Sequence, residues 1–125
     1  MTAKQKKVLV VEDDRMNSAM ISAVLEERGY TVVVADDGDA GLRTLEKEGD
    51  IDVVITDIFM PNREGIGFIR AAKSRCPAMK IAAMTGAVNY ESIFVTAQDF
   101  GADLTIKKPF DIDDFADKID SLLET

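Results

Sequence analysis

Residues 51–61 read IDVVITDIFMP. Three β-branched residues, Val53, Val54 and Ile55, run through Thr56 into a carboxylate, Asp57, and apolar character resumes at Ile58, Phe59 and Met60. Apolar residues on consecutive rather than alternate positions indicate a strand covered on both faces, as in a parallel sheet. A charge at the end of such a strand costs desolvation unless it is paired or lies at an opening. Asp57 is therefore expected at an opening, beside other acids.

Four more runs share this character, at residues 8–11, 32–35, 81–84 and 104–106. Helical spacing lies between them. Met16, Met20, Ala23 or Val24 and Glu27 form one stripe, with Gly29 as its stop. Asp39 is expected to cap a second helix, which carries Ala40, Leu42 and Leu45 and ends at Gly49. Residues 65–75 form a third with Ile66, Ile69 and Ala72 inward, and residues 91–100 a fourth closed by Gly101. The last, residues 112–123, turns Phe115, Ile119, Leu122 and Leu123 inward. Five strand–helix repeats predict an α/β fold, a doubly wound five-stranded parallel sheet with helices on both faces.

The 125 residues suit one domain, expected to span 1–125 with a core of about 6–124 and no effector domain. With 46% hydrophobic and 30% charged residues the chain reads as globular, and its net charge of −8 argues against direct nucleic-acid contact. One cysteine, Cys76, fits an ordinary thiol in a reducing compartment. The basic start precedes only four apolar residues before Glu12, too few for a secretion signal. A cytoplasmic address without membrane contact is the expectation. There is no histidine, so histidine chemistry must arrive on a partner.

In open parallel sheets, ligands sit beyond the carboxyl ends of the strands. The residues just after the runs are Glu12-Asp13-Asp14, Asp57, Thr85 and Lys107-Lys108. Each has a plain structural explanation. Acids before a helix cap it, Asp57 before Pro61 and Asn62 suits a turn, Gly86 permits a loop, and the Lys108–Pro109 bond could be cis as a structural device. Their joint placement says more. Clustered carboxylates repel unless a cation joins them, and an oxygen-only set suits Mg²⁺, which shares phosphate oxygens. The residues thus read as a divalent-metal site where one carboxylate receives a phosphoryl group.

The segments VLVVEDD, VVITDIFMPNREG, AAMTG and IKKPF, in this order and spacing, resemble the receiver domain of bacterial two-component response regulators. The resemblance covers essentially the whole chain and implies a flavodoxin-like (βα)5 fold. It implies that Asp57 is the phosphoacceptor and Asp13 a direct ligand of Mg²⁺ (or Mn²⁺). Glu12 would be the second acid and the Phe59 backbone carbonyl a third protein ligand. Lys108 would pair with the phosphoryl group, ahead of a cis bond to Pro109, and Thr85 beside Gly86 would move to hydrogen-bond it. The implied donor is a sensor histidine kinase or histidine phosphotransfer protein. The implied output is a protein contact through the last two helices and last strand, with no enzyme activity beyond the chain's own phosphorylation and dephosphorylation. The first helix, with Met16, Asn17, Met20 and Ile21, is the expected kinase-docking surface, although core packing would equally explain the methionines.

The family usually has an aromatic residue three positions before the lysine, and here that position is Thr105. Tyr90 or Phe94 is the expected substitute. Arg63 and Glu64 replace a more usual methionine and aspartate, with little effect expected on the chemistry and an altered partner contact expected at Arg63. A phosphatase that uses a strand-end aspartate would want a second acid at Phe59, and a flavin or nucleotide binder would want a phosphate-cradling loop where the acids of residues 12–14 stand. The remaining alternative is a receiver-like interaction module that never takes phosphate.

Overall fold

A computed structural model describes residues 6–59 and 65–124. The elements alternate along the chain: β1 Lys7–Val11, α1 Arg15–Glu27, β2 Thr31–Ala35, α2 Gly38–Glu48, β3 Val53–Asp57, α3 Gly65–Arg75, β4 Lys80–Thr85, α4 Tyr90–Asp99, β5 Leu104–Lys107 and α5 Ile112–Glu124. The five strands form one parallel sheet in the order β2-β1-β3-β4-β5. This is the doubly wound (βα)5 architecture expected from the repeats.

The pleat sends alternate residues of each central strand to opposite faces. Leu9, Val11, Val54, Ile81 and Ala83 pack with Leu42, Leu45, Phe68 and Ile69 of α2 and α3. Val8, Val10, Val53, Ile55 and Met84 pack with Ile21, Leu25, Phe115 and Ile119 of α1 and α5. Two-sided burial therefore accounts for the unbroken apolar runs of β1, β3 and β4. It does not hold for the edge strands. On β2, Thr31 and Val34 are exposed, and β5 buries only Ile106. An edge strand lacks a neighbour on one side, so part of its surface stays in water.

Helix ends follow local chemistry, with two departures from the expected pattern. The Asp14 carboxylate accepts hydrogen bonds from the amides of Met16 and Asn17, and Gly29 ends the turn after α1 at φ 95°. The buried stripe of α1 is Ser18, Ile21, Val24 and Leu25, offset by one position from the expected one, so Met16 and Met20 are exposed. Packing of Ile21 and Leu25 with Val8 and Val10 of β1 sets which face of the helix turns inward. Asp37, not Asp39, caps α2: its extended backbone lets its carboxylate accept from the Ala40 amide at 2.8 Å. Asp39 lies inside the first turn, where its charge complements the helix dipole. Pro61, Asn62, Arg63 and Glu64 lie outside the described residues.

Candidate functional site

Register brings the polar strand ends together. The order reverses at β1, so β2 and β3 flank it, and the crevice of a doubly wound sheet opens at such a reversal. Val11 pairs with Thr56, which sets the next residues, Glu12 and Asp57, side by side. Across the sheet Asp57 pairs with Met84, and Thr85 with Lys107. Four strand ends thus deliver acids, a hydroxyl and lysines to one edge.

Lys108 links them. Its ammonium donates to Glu12 Oε1 at 2.9 Å and to Asp57 Oδ2 at 3.0 Å. Glu12 is 1% exposed and Asp57 14%, so the lysine offsets charges that water cannot fully solvate. Burial alone would lower the Lys108 pKa, but the hydrogen bonds to Glu12 and Asp57 outweigh it and hold the ammonium above its usual range. The peptide between Lys108 and Pro109 is cis.

Carboxylate oxygens of Glu12, Asp13 and Asp57 lie within 4.8 Å of one another. Asp13 is exposed, so the cluster opens to solvent on that side. Three convergent oxygen donors with one open flank fit a metal ion, and these residues could hold one. Phe59 follows two residues beyond Asp57 with its ring half exposed.

The remaining expected residues surround this centre. Thr85 is 1% exposed, and its hydroxyl accepts from the Ala87 amide at 3.2 Å. Its carbonyl accepts from the Lys108 amide at 2.8 Å, which locks the β5–α5 loop to the end of β4. Gly86 lines a cleft of about 350 Å³ with Asn17, Met20, Ile21, Lys108 and Phe110. Thr105 is half-buried opposite Ala83. Tyr90 makes an edge-to-face contact with Phe94, at 5.6 Å between centroids.

Three features escaped the sequence reading. Lys108 engages Glu12 as well as Asp57, a pairing between residues 96 apart that no local signal announces. The Asn17 amide donates to Glu12 Oε1 at 3.5 Å from the first turn of α1, and its place just after three acids was the available hint. Gly65 packs directly on the end of β3, where its amide donates to the Ile58 carbonyl at 2.7 Å. A side chain there would meet Ile58 Cα at 2.4 Å and the Asp57 carbonyl at 2.6 Å.

Comparison with known proteins gives a consistent family. The model of the response regulator receiver domain matches residues 8–120. The transcriptional regulatory protein DltR of Streptococcus agalactiae is 34% identical over 90% of this chain and 50% of its own length. CpxR, a transcriptional regulatory protein of Escherichia coli, is 32% identical over 94% of this chain and 49% of its own length. The chain therefore spans about half the length of these curated relatives. Among solved structures, a CheY-like receiver domain protein from Methanospirillum hungatei superposes with a TM-score of 0.90 at 31% identity, covering 97% of this chain and 95% of that one. The chemotaxis protein CheY4 of Vibrio cholerae follows at 0.85 and 28%, covering 94% of this chain and 98% of that one.

Proposed function

Since the chain belongs to the response regulator receiver domain family, we propose that it takes a phosphoryl group from a partner phosphohistidine onto Asp57 and thereby switches a protein-binding surface. The carrying observation is the Lys108 ammonium held between Glu12 and Asp57, with three carboxylates converging on the same point. A cation already fixed beside the acceptor carboxylate is what stabilisation of a transferring phosphoryl group requires.

Mg²⁺ (or Mn²⁺) would be held by Asp13, Asp57 and Glu12, with the Phe59 carbonyl as a further donor. When bound, the ion supplies positive charge to the phosphoryl oxygens and lets three acids share one site. An Asp57 oxygen attacks phosphorus in line. The bond from phosphorus to the histidine nitrogen breaks, its electron pair stays with the departing imidazole, and an acyl phosphate forms. Lys108 stays with the transferred group, and the Thr85 hydroxyl turns from the Ala87 amide to donate to a phosphoryl oxygen.

This chemistry is self-modification by a signalling domain, and the phosphoryl donor is a sensor histidine kinase or histidine phosphotransfer protein. Residues 1–125 act as one receiver unit whose output is a protein contact through α4, β5 and α5, in the cytoplasm. No described helix is long and apolar enough to cross a membrane. The test is intact-mass spectrometry after incubation with phosphoramidate, with and without Mg²⁺. One phosphoryl group should be gained only with Mg²⁺, and Asp57→Asn should gain none. A folded protein that gains nothing would leave a phosphate-independent interaction module as the reading.

A further inference from the structure

Helix α4 starts without the usual support. Asn89 stands at its N-cap but makes no side-chain capping bond, and the first intrahelical bond, from the Ile93 amide to the Asn89 carbonyl, is 3.5 Å long. Val88, just before it, is 98% exposed. A helix that begins this way should fray unless something else holds its first turn.

Tyr90 supplies that hold. The Lys107 ammonium lies 5.0 Å from the centroid of the Tyr90 ring, and the ring meets Phe94 edge to face. Phe94 packs against the core beneath. Lys107 ends β5, pairs with Thr85 and directly precedes Lys108. The loop between β4 and α4 is thus tied near its start by the Thr85 hydroxyl on the Ala87 amide, and at its end by Lys107 on Tyr90.

We infer that the contact between Lys107 and Tyr90 is a latch that closes the first turn of α4 in the unmodified protein and opens when Asp57 carries a phosphoryl group. The coupling rests on the phosphoacceptor reading above. When the Thr85 hydroxyl leaves the Ala87 amide, the short segment leading to Tyr90 loses its fixed start, and the tie at its other end bears the displacement. A solvent-exposed cation over an aromatic face shifts an equilibrium by about two- to five-fold, enough to bias a turn that has no side-chain cap.

Amide hydrogen exchange of residues 88–93 tests this, with and without Mg²⁺ and beryllofluoride, in the wild type, Tyr90→Phe, Tyr90→Leu and Lys107→Gln. Without beryllofluoride, Tyr90→Leu and Lys107→Gln should exchange about two- to five-fold faster than the wild type, while Tyr90→Phe, which keeps the aromatic face, should match it. Beryllofluoride should speed exchange in the wild type and add little in Tyr90→Leu. By linkage, Tyr90→Leu should bind beryllofluoride tighter by the same factor. Equal exchange in the unloaded wild type and Lys107→Gln overturns the latch, and Lys107 is exposed, so that variant remains informative if Tyr90→Leu unfolds. Beryllofluoride bound at Asp57 with unchanged exchange in α4 overturns the coupling. Failure of beryllofluoride to bind the wild type at all would instead remove the phosphoacceptor reading and the coupling with it, while the unloaded variants still decide the latch.

Discussion

At one end of the sheet, Lys108 Nζ lies 2.9 Å from Glu12 and 3.0 Å from Asp57. At the other end, Lys7 Nζ lies 3.0 Å from both Glu48 and Asp50. Composition and distances are nearly the same, but the surroundings differ. The acids beside Lys7 are 33% and 46% exposed, and those beside Lys108 are 1% and 14%. Asp50 and then Glu48 raise the Lys7 pKa through hydrogen bonds against little burial, whereas the Lys108 ammonium stays charged in spite of burial. Water already solvates the first cluster. In the second the protein takes over that work, and a charge added there is felt by its neighbours rather than screened.

The largest expected effect comes from disturbing how the buried cluster is assembled. Gly65→Ala would drive a methyl into the main chain of Asp57 and Ile58, and α3 would have to lift from β3. The loss should reach about 3 kcal/mol, at the upper end of overpacking costs, read from the urea midpoint. Phosphoryl uptake from phosphoramidate should fall with it. Lys108→Met comes next. It strands Glu12 beside Asp57 without a cation and should cost about 2 kcal/mol in chelator, discounted from a fully buried pair because the lysine is partly exposed. Added Mg²⁺ should restore part of that loss, and a midpoint indifferent to Mg²⁺ would sink the account of the acids.

A third cluster lies between these extremes. Burial, and then a hydrogen bond donated to Asp120, raise the Tyr30 pKa above its ordinary 10.0. Such a group contributes its full stability below pH 10, and the contribution is lost as pH rises further. Tyr30→Phe should therefore lower stability by about 1 kcal/mol at neutral pH, where the hydrogen bond to Asp120 is lost, and flatten the alkaline limb of the stability curve. The smallest effect belongs to Lys7→Met, whose denaturation midpoint should be indistinguishable from the wild type at physiological salt. A loss comparable with that of Lys108→Met would erase the contrast between the two ends.

Much of this architecture was legible in local chemistry. The consecutive apolar runs announced β1, β3 and β4 because a two-sided buried strand needs apolar residues at every position. The acids of residues 12–14, Asp57, Thr85 and Lys108 could be placed at one edge because each directly follows such a run. Legibility failed where a neighbour chooses between local options. Met16 and Met20 stand on a helical stripe as good as that of Ile21 and Leu25, and only packing on β1 chose the latter. Asp37 and Asp39 are both good caps, and the approach of the chain from β2 decided for Asp37.

By itself, then, the sequence determined the order of strands and helices, the receiver family and the set of charged residues at the strand ends, since periodicity and adjacency are properties of the chain. Only the tertiary structure decided which charges share a cation. Glu12 meets Lys108 across 96 positions, and Tyr90 meets Lys107 across the gap between α4 and β5. Such pairs arise from strand order and register, which set distances that separation along the chain does not encode.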